Sequence, residues 1–188
     1  MITKQKHVSL LKTTRKIHRT TGIILFIFFF IIAISGLLLG WKKNSNGLIL
    51  PKSYKGTTQN VNNWLPLKTL QSLAFKAMKD SVDKDIDLSL QRIDARPEKG
   101  MIKFIFNNHY WGIQLDGSTG EVLAITRRRS DLFENIHDGS IVDIYFGTKG
   151  EIFKLFYTTI MSTALLIFTL TGFWLWYGPK FIRKKINN

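Results

Sequence analysis

Two stretches of the chain are apolar on all sides rather than along one stripe. Between Arg19 and Lys42 there is no charged residue, and TTGIILFIFFFIIAISGLLLGW, from Thr20 to Trp41, carries only hydroxyls and glycines among its hydrophobic residues. At about 1.5 Å per helical residue this run reaches about 33 Å, enough for a hydrocarbon core of about 30 Å. The second stretch, LFYTTIMSTALLIFTLTGFWLWYGP, is uncharged from Leu155 to Pro179 and is also long enough. The pattern predicts transmembrane helices over 20–41 and 151–178. A basic region precedes the first run, as in a secretory signal. Signal h-regions run to about 7–15 residues and end at a small-residue cleavage site, whereas this run is longer and ends in Trp41-Lys42-Lys43, so it reads as a retained anchor.

Between the two runs the periodicity changes. Residues 42–63 are polar, with Gly, Ser, Asn and Pro51, and read as a linker or loose lead-in. In WLPLKTLQSLAFKAM, Leu67, Leu70, Leu73, Ala74, Ala77 and Met78 fall at helical spacing, with Pro66 at its start. DLSLQRIDA reads as a strand. MIKFIFNNHYWGIQLDGSTGEVLAITRR divides into three more, with turns at Asn107-Asn108 and Asp116-Gly117. One helix covering one face of a small antiparallel sheet is the economical arrangement for 64–130. In 131–150, Leu132, Phe133, Ile136, Ile141, Ile144 and Tyr145 alternate with acids, as expected of a segment lying in a membrane interface. The fold class expected is an α+β membrane protein, two membrane helices flanking a central helix-on-sheet domain.

Charge settles the orientation this predicts. The formal net charge of +14 over 188 residues would suit a nucleic-acid binder if it were spread over the molecule. Instead Lys4, Lys6, Lys12, Arg15, Lys16 and Arg19 precede the first run and Lys180, Arg183, Lys184 and Lys185 follow the second, with no acid in either tail. All 13 acidic residues lie between the runs. The positive-inside rule therefore places the tails 1–19 and 179–188 in the cytoplasm and the central domain outside the inner membrane, and leaves no case for nucleic acid. Cysteine is absent, which excludes disulfides, iron–sulfur clusters, thiol catalysis and haem attached through C-x-x-C-H. There is no H-E-x-x-H, G-x-S-x-G or glycine-rich phosphate loop.

Two sets of residues carry a resemblance. Y-W-G-I-Q-L-D-G-S-T-G-E-V-L, with Asp116, Thr119, Gly120, Glu121 and Val122, resembles the closing hairpin of a PepSY domain. Around it stand Lys16-Ile17-His18-Arg19 with Gly22, Ser35-Gly36-Leu37, Ile136-His137-Asp138-Gly139, Phe146-Gly147 and Thr171-Gly172-Phe173-Trp174-Leu175-Trp176. Together they are similar to the PepSY-associated transmembrane family over nearly the whole chain. Its larger members have four spans and include inner-membrane reductases of ferric siderophores, whose motif histidines bind b-type haem. With two spans, this chain looks like half of such a protein.

The resemblance implies that His18 and His137 are axial ligands of a non-covalent haem b, and that the chain is a b-type cytochrome-like iron reductase or a subunit of one. Read from the residues alone, His18 is first an interfacial residue touching headgroups and only second a ligand. Asp138 is either a partner that orients the His137 imidazole or a solvated carboxylate. Each span closes with a small pair, Ser35-Gly36 or Thr171-Gly172. These, with Gly22 and Gly139, are candidate positions for close approach of helices or of a flat macrocycle, the hydroxyls turned to a carbonyl or polar group. Trp41, Trp174 and Trp176 suit interfacial anchoring. His18 is expected at the inner end of one span and His137 at the outer end of the other, about 30 Å apart. They cannot share one iron, so a second axial ligand is expected from a homodimer or another membrane redox subunit. Asp83, Asp85, Asp87 and Asp94 resemble a calcium loop but lack its Gly and Glu, and read as a solvated turn. His109 reads as an exposed turn residue. Arg127, Arg128 and Arg129 suit either an anionic ferric chelate or lipid headgroups as partner. The competing function class is a membrane-anchored PepSY interaction or regulatory module with no catalytic role.

Overall fold

A computed structural model describes residues 2–187, with side chains over 5–183. The side chains of Lys4, Lys184 and Lys185, part of the expected flanking charge, lie outside the described residues. The chain divides into two compact units, one formed by Met1–Gly36 with Ile136–Asn188 and the other by Leu37–Asn135.

The first unit is built on two long helices, α1 (Ile2–Gly40) and α5 (Ile152–Asn187). Each extends beyond the apolar run it contains, so His18 lies on the same continuous helix as the first span. Their contacts run in opposite order: Leu11 meets Gly178, His18 meets Thr171, Gly22 meets Phe168, and Phe28 meets Tyr157. The helices are therefore antiparallel. On α1, Gly22 and Phe29, seven residues apart, both lie against Phe168 of α5, a spacing that suits antiparallel packing at a shallow crossing angle. Thr14, Ser35, Met161 and Ala164 are buried, while Ile23, Leu37, Leu166 and Leu170 are more than 60% exposed. A soluble helix pair would hide such residues; here they face outward, as lipid-facing side chains do.

Two short helices precede α5. His137 ends α3 (Arg129–His137), and α4 (Ser140–Phe146) begins after Gly139 and stops at Gly147. The carboxylate of Asp143 accepts hydrogen bonds from the Phe153 and Lys154 amides at 3.1 and 2.8 Å, and from the Thr148 hydroxyl. It satisfies amide donors that the first turn of α5 would otherwise leave open. The expected interfacial segment is thus two capped helices.

In the second unit, α2 (Leu67–Ser81) starts directly after Pro66 and presents Leu70, Ala74 and Met78 on one stripe. The sheet is a meander in the order β1-β2-β3-β4, with β1 Leu90–Arg96, β2 Met101–Phe106, β3 Trp111–Asp116 and β4 Val122–Arg127. The α2 stripe packs on Ile102, Phe104, Phe106, Ile113 and Leu115, one face of β2 and β3. Burying side chains of this size stabilises by roughly 1.5–3 kcal/mol each.

The other face is where expectation and structure part. Register pairs Lys103 with Gln114 and Met101 with Asp116, and all four are buried. What covers them is the stretch expected to be a loose lead-in. Tyr54 N–H donates to Gln114 Oε1, Gln114 Nε2 donates to the Lys52 carbonyl, and Lys103 Nζ donates to Ser53 Oγ at 2.8 Å. Thr57 N–H donates to Asp116 Oδ2 at 2.8 Å. Residues 49–57 therefore form a strap held by polar side chains rising from the sheet, because buried polar groups need partners and the strap's backbone supplies them.

Asp116 has a second task. Its Oδ1 accepts from the Ser118 amide and hydroxyl and from the Thr119 amide, which shapes the β3–β4 turn. The turn closes on Gly120, at φ +75° and against Leu73, where a side chain would be both strained and obstructed. Burial opposes the charge on Asp116, but the donors from Ser118, Thr57 and Thr119 outweigh it and hold the carboxyl down to about 2. Because the folded value lies below the unfolded one, this stabilisation is full above about pH 4 and is lost as pH falls towards 2. Hydrogen exchange on the full chain should show the amides of Thr57, Ser118 and Thr119 losing protection together across that window. Asp116→Asn should weaken the same amides at pH 7 by about 2 kcal/mol.

Candidate functional site

The two motif histidines and the two hydroxyl–glycine pairs meet, and they do so crosswise. His18, from the start of the first span, lies against Thr171-Gly172 at the end of the second. Its Nδ1 is 2.8 Å from Thr171 Oγ1. His137, from the segment before the second span, lies against Ser35-Gly36 at the end of the first, with Nδ1 3.0 Å from Ser35 Oγ. The glycine beside each hydroxyl makes room for the ring. A Cβ at Gly172 would stand 3.4 Å from His18 Cε1, and one at Gly36 would stand 3.3 Å from His137 Cε1.

Donor counting gives the tautomer. A hydroxyl has one proton, and both hydroxyls have a carbonyl of their own helix to receive it: Thr171 donates to Ile167 O at 2.7 Å and Ser35 to Ile31 O at 2.7 Å. Each oxygen then accepts, so the proton between it and the imidazole belongs to Nδ1. Neither Nε2 has a hydrogen-bond partner among the described residues. The hydroxyls were expected to turn to a carbonyl or to a polar group; they serve both at once.

Packing fixes the rings. His18 stacks on Phe168 with centroids 3.9 Å apart and planes inclined by 23°, and Gly22 allows the approach, since its Cβ would lie 3.0 Å from Phe168 Cε2. Beside them an open cavity of about 450 Å³ is lined by Gly22, Ile23, Phe26 and Phe168, with His18 and Arg19 as its polar members. At the other end, Gly139 is at φ +81° with Tyr157 packed against it, which turns the chain immediately after His137. All eight residues singled out in the spans and their flanks, His18, Gly22, Ser35, Gly36, His137, Gly139, Thr171 and Gly172, therefore sit in one of two clusters. Phe168 was missed, because a phenylalanine within an apolar span carries no distinguishing signal.

Other expectations fare differently. Asp138 does not touch the imidazole: its Oδ1 accepts from Ser140 and its Oδ2 pairs with Lys154 Nζ at 3.3 Å. The orienting group is Ser35 instead. Asp83 and Asp87 cap their own turns, and Asp94 pairs with Arg92; among the described residues no three potential metal ligands gather. His109 Nε2 lies 2.8 Å from the Asp87 carbonyl, so it ties one loop to another. Lys180 Nζ sits 4.0 Å over the Trp176 ring, while Trp174 Nε1 is buried without a partner among the described residues.

Along α1, Ser35 follows His18 by about 17 helical positions, roughly 25 Å at about 1.5 Å each. The two histidines thus lie in two separate clusters. An imidazole whose Nδ1–H is engaged by an oxygen offers Nε2 to a metal when the ring is neutral, so the two rings are compatible with axial ligation of a haem iron. Removing either hydroxyl tests the tautomer. Nitrogen NMR of histidine-labelled protein should show both rings protonated at Nδ1. Thr171→Val at His18, and Ser35→Ala at His137, should each lower the population of that form by about fivefold, the worth of about 1 kcal/mol.

A family described as the PepSY-associated TM region matches residues 15–186, from just before His18 to the end of α5. No curated protein and no solved structure matches the chain significantly. The match takes in both histidine clusters, both long apolar helices and the sheet domain between them. This chain is a membrane protein of the PepSY-associated transmembrane family.

Proposed function

We propose that the protein is a haem-binding redox subunit of the inner membrane, serving the reduction of iron held in ferric siderophores or related chelates. The observation that carries the reading is the repeated half-site: two imidazoles, each held at Nδ1 by a hydroxyl of another helix, each with Nε2 unengaged among the described residues. Two unrelated structural histidines would have no reason to adopt the same arrangement at both ends of one helix pair. His18 and His137 would hold the group, and bound haem supplies one-electron chemistry that no side chain here provides. Gly36 and Gly172 keep the ring edges clear, and Phe168 holds the plane of His18.

The start of α1 and the end of α5 lie at the same end of the antiparallel pair, and with the charged tails in the cytoplasm the His18 cluster would be the inner one and the His137 cluster the outer one. Electrons taken up near the inner cluster would then be delivered outside. Each histidine supplies one ligand, so the second comes from another subunit. A two-fold homodimer brings His18 to His18 and His137 to His137 and restores the four spans of the larger relatives. The apolar residues exposed along α1 and α5 give such a partner, or lipid, a surface to cover.

Protein purified from haem-replete cells should show a Soret band that shifts with dithionite. His18→Ala and His137→Ala should each remove about half of it, and the haem-loaded protein should run as a dimer. A chain that stays colourless through haem titration overturns the reading and leaves a membrane-anchored docking module.

A further inference from the structure

The strap over the sheet ends beside an open cavity of about 500 Å³ at the edge strand β4. Lys52, Arg127 and Arg129 line it, together with Tyr54 and Trp111, and no carboxylate does. None of these three cations is in an ion pair among the described residues. Their neighbour Arg128 is different: it is committed to Asp131 through two bonds of 2.8 and 3.0 Å, which holds this corner of the domain in place. Arg127 sits across the ladder from Trp111, its guanidinium 6.0 Å from the ring centroid.

Behind the strap lies a further cation. Lys103 is buried and donates to Ser53, to which Arg96 also donates. Burial first, and then the nearby Arg96, Arg128 and Lys99, push Lys103 down to about 8. The acids nearby are engaged elsewhere: Asp94, across the ladder from Lys103, pairs with Arg92, Asp131 with Arg128, and Asp116 accepts from Thr57, Ser118 and Thr119. A cluster of like charges around an open, aromatic-walled cavity is the complement of a small anion. The volume suits a small molecule, since ligand sites span about 300–1,000 Å³. Arginine favours planar carboxylate-like groups, and Trp111 and Tyr54 offer rings for a flat ligand to lie on.

We infer that this cavity, walled by Lys52, Tyr54, Trp111, Arg127 and Arg129, is a binding site for a small planar polyanion of the aryl carboxylate or catecholate kind. The inference stands on the second unit alone. It deepens the proposed function if the anion is a metal chelate, and does not need haem to hold.

Benzene-1,3,5-tricarboxylate is a suitable probe, titrated calorimetrically into the full chain in detergent, with citrate as an anion of equal charge and no ring. The aryl tricarboxylate should bind at one site per chain and more tightly than citrate. Arg127→Gln and Arg129→Gln should each weaken it roughly ten- to hundredfold. Trp111→Leu should bring it level with citrate. Lys149→Gln, which is not among the lining residues, should change nothing. Absence of saturable binding, or binding that the two arginine variants leave intact, overturns the site. Loss of binding in nanodiscs of anionic lipid, with retention in zwitterionic ones, also overturns it by assigning the cations to headgroups. Because the titration is run without haem, its outcome is independent of the Soret measurement.

Discussion

The arrangement depends on one hydrogen bond, made twice, from an imidazole Nδ1 to a helix hydroxyl that has already given its proton to its own backbone. A serine or threonine in a membrane helix ordinarily spends its proton on the carbonyl one turn back and has nothing more to do. Here the remaining lone pair selects the tautomer of a histidine that arrives from elsewhere in the chain. Each ring is fixed in proton position by the hydroxyl and given clearance at its edge by the glycine that follows. Hydroxyl and glycine thus act together, and they do so at both ends.

The parts of the fold driven by hydrophobic pattern were legible in the sequence. Both spans, α2 and all four strands stand where periodicity puts them, because an apolar run of 22 residues or a stripe at Leu70, Ala74 and Met78 admits few alternatives. The strap was not legible. Its residues are polar, and polar segments read as loose unless one knows what they bond to. The signal lay in the sheet: Lys103, Gln114 and Asp116 share the face opposite the α2 core, and three long polar side chains there can as easily grip a covering segment as face water. Sequence reasoning allowed the sheet one covered face; polar satisfaction covered both.

The candidate site was half legible. His18, His137 and the two hydroxyl–glycine pairs stood out through the resemblance, and their echo was visible as a repeat. Their cross-pairing was not, since it follows from antiparallel packing: His18 and Thr171 are 153 residues apart and adjacent only because α5 returns along α1. Asp138 drew attention by adjacency in sequence, yet its carboxylate is held by Ser140 and Lys154. Adjacency in the chain does not bring two side chains together where a helix ends between them, as α3 does at His137.

The spacing of His18 and Ser35 on α1 makes that helix a ruler. Each advance of one residue turns a side chain by about 100°, so a single insertion between them would swing one hydroxyl or one ring out of its seam while leaving the other in place. The two helices cannot slide past each other by a turn without breaking the contact of His18 with Thr171. A bilayer thicker or thinner than this fixed length is therefore met by tilting the pair as a rigid rod or by deforming the lipid, and the distance between the two imidazoles stays the same in either.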